Sequence, residues 1–104
     1  MRGGTPFMTW LRGLKDLRAR AVIRTRINRI RVGNWGLRRS LSDGVWELKI
    51  DFGPGYRVYY GHEHEEIVIL LAGGNKGSQT RDIEKAKRYW RDFKARKRSS
   101  EPTI

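Results

Sequence analysis

The chain has no cysteine, three prolines and two histidines among its 104 residues, and only 11 Asp and Glu against 23 Lys and Arg. Without cysteine there is no disulfide framework, no thiolate metal site and no cysteine nucleophile. The longest apolar run, residues 67–72, falls far short of the roughly 20 residues that a membrane-spanning helix needs. No apolar stretch follows Met1-Arg2-Gly3-Gly4, so nothing there reads as a secretory leader. The length fits one small domain and excludes a two-lobed enzyme with a cleft between lobes. A single cytoplasmic domain is the expectation, with no membrane partner.

What is present is apolar material and positive charge. The chain is 38% hydrophobic and 11% aromatic, enough for one core and too much to leave in water. Its net charge of +12 points to an anionic partner, with nucleic acid the leading class. The excess is segmental. Residues 8–32 carry eight basic residues against Asp16, residues 43–75 are net −4, and residues 81–98 are net +6.

Periodicity divides the chain at the same places. Thr5-Pro6 reads as a helix N-cap followed by proline at the first helical position. Phe7, Trp10, Leu11 and Leu14 then repeat at three and four, predicting a short helix that turns near Gly13. Asp16 is placed to cap a second helix with Ile23, Ile27 and Ile30 as its inner face and Ala19 and Leu17 towards the start, ending at Gly33-Asn34. Trp46, Leu48, Ile50 and Phe52 alternate with Glu47, Lys49 and Asp51, predicting a strand with one buried face. Gly53-Pro54-Gly55 is a turn, residues 56–60 a second strand, and residues 61–66 a polar hairpin tip. The apolar run at 67–71 predicts a central strand covered on both faces. Residues 73–78 read as a flexible glycine-rich loop. Ile83, Ala86, Trp90 and Phe93 mark a last helix over 81–98, with 1–5 and 99–104 frayed. Trp10, Trp46 and Trp90 fall at core-facing spacings, whereas Trp35 lies between polar and glycine residues and is expected at the surface. The prediction is a single α+β domain: an N-terminal helical hairpin, a three-stranded antiparallel sheet packed by helices on one face, and a C-terminal helix.

Strand parity identifies the residues of interest. If Tyr56, Val58 and Tyr60 face the core, Arg57 and Tyr59 face away, alongside Glu47, Lys49 and Asp51 of the neighbouring strand. Arg57 is then either a solvated arginine paired with Asp51 or Glu47, or one of a cationic group with Lys49 on an open face. Two other patterns carry less. His62-Glu63-His64 is better read as a polar hairpin tip than as a metal pair, and Gly73 to Ser78 lacks the spacing of a phosphate-binding loop.

Gly53-Pro54-Gly55-Tyr56-Arg57-Val58-Tyr59-Tyr60, followed by Leu70-Leu71-Ala72-Gly73-Gly74-Asn75-Lys76-Gly77-Ser78-Gln79 and Asp82-Ile83, resembles the RelE/ParE toxin superfamily. The HigB-like addiction module killer branch is the nearest in pattern. The resemblance extends from about residue 7 to 95, with the family's usual N-terminal strand short or missing. It implies the toxin of a bacterial type II toxin–antitoxin module that cleaves mRNA on the ribosome. Its partners would be the ribosome-bound mRNA and a cognate antitoxin of helix-turn-helix type.

By position, the family's phosphate-binding arginine falls on Arg57 and the basic residue after the third strand on Lys76. No tyrosine stands in Thr80-Arg81-Asp82, where RelE has one near the start of the last helix, so Tyr59 or Asp82 is left as proton carrier. Lys49, Arg81, Arg38 and Arg39 are the expected RNA contacts. The reaction would be attack of the ribose 2′-OH on the adjacent phosphorus, with Arg57 and Lys76 stabilising the charged transition state and no cofactor or metal required. Two alternatives are a ParE-like toxin that binds DNA gyrase without cleaving RNA, and an inactive RNA-binding relic.

Overall fold

In the computed structural model, residues 6–63 and 67–100 are described. The element order is α1 (Pro6–Gly13), α2 (Leu17–Arg31), β1 (Arg38–Ser40), β2 (Val45–Ile50), β3 (Tyr56–Glu63), β4 (Ile67–Asn75), a 3-10 turn (Lys76–Ser78) and α3 (Gln79–Ser100). All four strands form one antiparallel sheet in the order β1-β2-β3-β4. The α+β class is as expected, but with four strands.

The two N-terminal helices form for the reasons their sequence offers, except that Leu17, expected on the inner face of α2, is exposed at its first position. Asp16 caps α2 by accepting from the amides of Arg18 and Ala19 at 2.9 and 3.2 Å. At the other end Gly33 takes φ +87° and donates to Ile30, while the Asn34 amide reaches back to Arg29. Arg20 ties the pair together, its Nε and Nη2 donating to the Leu11 and Arg12 carbonyls at 3.1 and 2.6 Å. Those carbonyls belong to the last turn of α1 and have no partner within the helix.

Two cores lie on opposite faces of the sheet. Phe7, Leu11, Ala19, Ile23, Ile27 and Ile30 pack against Leu48, Ile50, Tyr56, Val58 and Tyr60. On the other face Val45, Tyr59, Leu71 and Ala72 pack against Ala86 and Trp90 of α3. The expectation of helices on one face is therefore corrected: α1 and α2 cover the first face and α3 crosses the second. The expected stripe Ile83, Ala86, Trp90 and Phe93 does supply that contact, over a helix two residues longer at each end than predicted.

Three further expectations change. The apolar run at 67–71 lies in β4, which helices cover on both faces as expected, but β4 is an edge strand, because among the described strands only β3 pairs with it. The expected glycine loop is ordered: Gly73, Gly74 and Asn75 finish β4, and Asn75 caps the 3-10 turn by accepting from Gly77 and Ser78. β3 runs through Gly61 to Glu63, which the sequence assigns to a hairpin tip; residues 64–66, with His64, lie outside the described ones, as do 1–5 and 101–104. Ser99 and Ser100 belong to α3. No described helix is long and apolar enough to cross a membrane.

Candidate functional site

Because α3 crosses only part of the second face, a groove of about 460 Å³ stays open beside it. Leu37, Arg38, Arg39, Glu47, Lys49, Arg57 and Gln79 line it. Register explains the gathering. Lys49 pairs with Arg57 across β2 and β3, and Glu47 pairs with Arg39 on one side and Tyr59 on the other. Directly opposed residues share a face, so one carboxylate and several cations meet there.

Glu47 is the centre of this cluster. It is only 5% exposed, and a buried carboxylate requires partners. Oε1 accepts from Arg39 Nη2 at 3.0 Å, and Oε2 accepts from Gln79 Nε2 at 2.9 Å. Arg57 Nε stands 3.6 Å from Oε2, an ion-pair distance, and has no hydrogen-bond partner among the described residues. The Arg57 side chain is 14% exposed. Arg57 is thus held against Glu47 instead of being solvated, while Lys49 and Arg39 are exposed at the rim.

The other expected site residues separate. Tyr59 is fully buried in the second core, and its hydroxyl has no partner among the described residues. Burial pushes its pKa well above the ordinary tyrosine range, and the neighbouring Glu47 charge adds to the rise. A side chain so placed does not line the groove. Arg38 turns to the first face, where its guanidinium sits 4.1 Å from the Trp35 ring centroid and 4.3 Å from that of Trp46. Trp35, expected at the surface, is half-buried and stacks on Tyr60 and His62 at 5.8 and 5.0 Å. Arg38 therefore pins the loop between α2 and β1. Lys76 is exposed on the 3-10 turn, two residues beyond Gly74, the register partner of Arg57. It stands at that end of the sheet without lining the groove. Arg81 is exposed and lines a different groove, at the β4 edge.

Sequence reasoning named Glu47 only as one possible ion-pair partner of Arg57, which it is, and gave Gln79 no place in the site. Glu47 carried a signal, since a carboxylate at an outward position opposite Tyr59 and one place from Lys49 falls among the cations. Gln79 carried none, because only the start of α3 brings it back over β2. Asp82, also buried, accepts from the Ser78 hydroxyl beneath the first turn of α3 and closes off Gly74.

A four-stranded antiparallel sheet with a helical hairpin on one face and one helix across the other defines a small α+β class with a cationic groove at its free corner. The chain belongs to the family described as phage-derived protein Gp49-like (DUF891), whose model matches residues 9–91, from α1 to one residue past Trp90. This is a RelE-like toxin family. The chain is also similar to an uncharacterized protein of Haemophilus influenzae, 51% identical over 81 residues that cover 78% of this chain and 82% of the relative. No solved structure matches the chain.

Proposed function

We propose that the protein is the toxin of a bacterial type II toxin–antitoxin module, of the HigB-like branch, and that it inhibits translation by cleaving mRNA on the ribosome. The observation that carries this reading is the pairing of buried Glu47 with Arg57 in an open groove rimmed by Arg39 and Lys49. Cleavage of RNA without an added nucleophile needs a base for the 2′-OH, cations at the phosphorus and neutralisation of the leaving 5′ oxygen. Arg57 binds the scissile phosphate through its free guanidinium edge, since a planar fork matches two phosphate oxygens. Glu47, beside it, accepts the proton as the 2′ oxygen attacks phosphorus and the bond to the 5′ oxygen breaks. Arg39 and Lys49 hold flanking phosphates, Lys76 on the turn beyond β4 takes a more distant one, and the leaving 5′ oxygen takes its proton from water at the open rim. The products are a 2′,3′-cyclic phosphate and a 5′-hydroxyl, so the substrate is RNA and not DNA. The arginines of α2 supply affinity for the ribosome in the cytoplasm, and a cognate antitoxin neutralises the toxin.

The test is cleavage of mRNA on programmed ribosomes. Arg57→Ala is expected to lower the rate about 10²- to 10³-fold, the usual effect of removing one preorganised oxyanion partner. Glu47→Gln is expected to lower it by at least about 10²-fold. Equal cleavage by wild type and Arg57→Ala would refute the site. No cleavage by the wild type, with DNA gyrase supercoiling inhibited instead, would refute the nuclease.

A further inference from the structure

The other groove lies at the opposite edge of the sheet. β4 is the outermost strand, and its outer edge pairs with no described strand. Along residues 72–75 that edge floors a groove of about 770 Å³ between α1 and α3. Gly73 and Gly74 bring no side chains to the floor. The Trp10 ring closes over Gly73 from α1, and Asp82 with Ser78 closes over Gly74 from α3. The floor is therefore main chain and the walls are helices, a shape that admits an extended strand. The α3 wall presents Arg81, Lys85 and Arg88, at spacings of four and three, with Tyr89 39% exposed beside them. The groove's carboxylate, Asp82, is buried and engaged by Ser78.

We propose that this slot receives an extended acidic segment of a partner protein, which pairs along the free edge of β4 and sets its carboxylates against Arg81, Lys85 and Arg88. Alternating amides and carbonyls on an unpaired edge match a peptide backbone and have no counterpart in an RNA strand. Charge chooses between peptide occupants. The residues preceding Pro6 contain Arg2 and no acid, so the chain's own first residues would set a cation against a cationic wall. The slot and the Glu47 groove lie at opposite sheet edges, so its occupancy does not depend on RNA cleavage.

The test uses the full chain and a short peptide alternating Glu and Val, with a Lys–Val peptide and an oligouridylate as comparators. The acidic peptide is expected to bind saturably and to slow hydrogen exchange at the outward-facing amides of residues 72–74, the Asn75 amide already donating to the Ser78 hydroxyl. Reversing Arg81, Lys85 and Arg88 to Glu is expected to weaken it about tenfold or more, whereas reversing Arg24 and Arg29 on α2 leaves it unchanged. Binding of the Lys–Val peptide or the oligouridylate at the same amides with equal affinity overturns the assignment. So does protection of those amides in the free chain that disappears when residues 1–5 are removed.

Discussion

Tyr59 and Glu47 sit opposite each other across β2 and β3, yet the fold treats them differently. The tyrosine is sealed under α3 with a hydroxyl unpartnered among the described residues, while the carboxylate accepts from two donors and pairs with Arg57 at the groove. An unsatisfied buried hydroxyl costs about 1–3 kcal/mol, so Tyr59→Phe is expected to leave stability unchanged or raised, and to leave RNA cleavage intact. Loss of cleavage in that variant with an unchanged Tm would return the hydroxyl to the chemistry. The same burial sets a pH dependence. Tyr59 and Tyr60 both have raised pKa values in the folded chain, chiefly from desolvation, with Arg38 opposing the rise at Tyr60. Their contribution is fully present below the unfolded-state value of about 10 and is lost as pH climbs above it, because only the unfolded chain then releases the protons. Denaturant melts between neutral pH and pH 11 are expected to show that fall, and Tyr59→Phe to reduce it.

At the scale of elements, the seat of α1 on β4 depends on a contact that a Cβ would break. The Trp10 ring lies directly on Gly73, so α1 approaches β4 as closely as a strand without a side chain permits. Gly73→Ala is expected to push α1 outward and cost about 1–3 kcal/mol, the usual range for overpacking. A shift in the denaturation midpoint, with altered near-ultraviolet dichroism from Trp10, checks it. Elements with a periodic inner face were legible in the sequence, and so was their order: both N-terminal helices, the strands at Val45 and Tyr56, and the last helix. β1 was not, because Arg38-Arg39-Ser40 has no apolar alternation and is a strand only by pairing with β2. β4 was read as central because burial on both faces looks alike whether neighbouring strands or two helices flank it. The parity argument found the groove residues Arg57 and Lys49. It also placed Tyr59 on an open face, since nothing in the sequence says how far across the sheet α3 lies. The stacking of Arg38 was not legible: it is a cation beside two indoles, and charge alone does not distinguish that from an RNA contact.

For the whole molecule, the charge of +12 is divided between surfaces of different use. One group of cations surrounds Glu47, another lines the β4 slot, and the outer face of α2 carries Arg18, Arg24, Arg29 and Arg31 exposed to solvent. Binding of a short single-stranded RNA is expected to weaken linearly with the logarithm of salt concentration. If Arg39, Lys49 and Arg57 each take one phosphate, the slope is about −2, from roughly −0.7 per contact. Removing Lys49 is expected to reduce it by about one contact's worth, as fluorescence anisotropy across a salt series would show.

Glu47 has one more consequence. In the free protein the groove already holds its own anion, tethered by the backbone of β2 and therefore present at a high effective concentration. A ligand entering there does not fill an empty bowl of positive charge; it displaces a resident counter-ion. Chloride or a free phosphate brings one small anion to that competition and gains little. A polymer brings several at once, engaging Lys49 and Arg39 at the rim before it contests Arg57. If the proposed function holds, the arrangement sorts ligands by valence: common small anions leave the Glu47 pairings intact, while a phosphodiester chain competes with them.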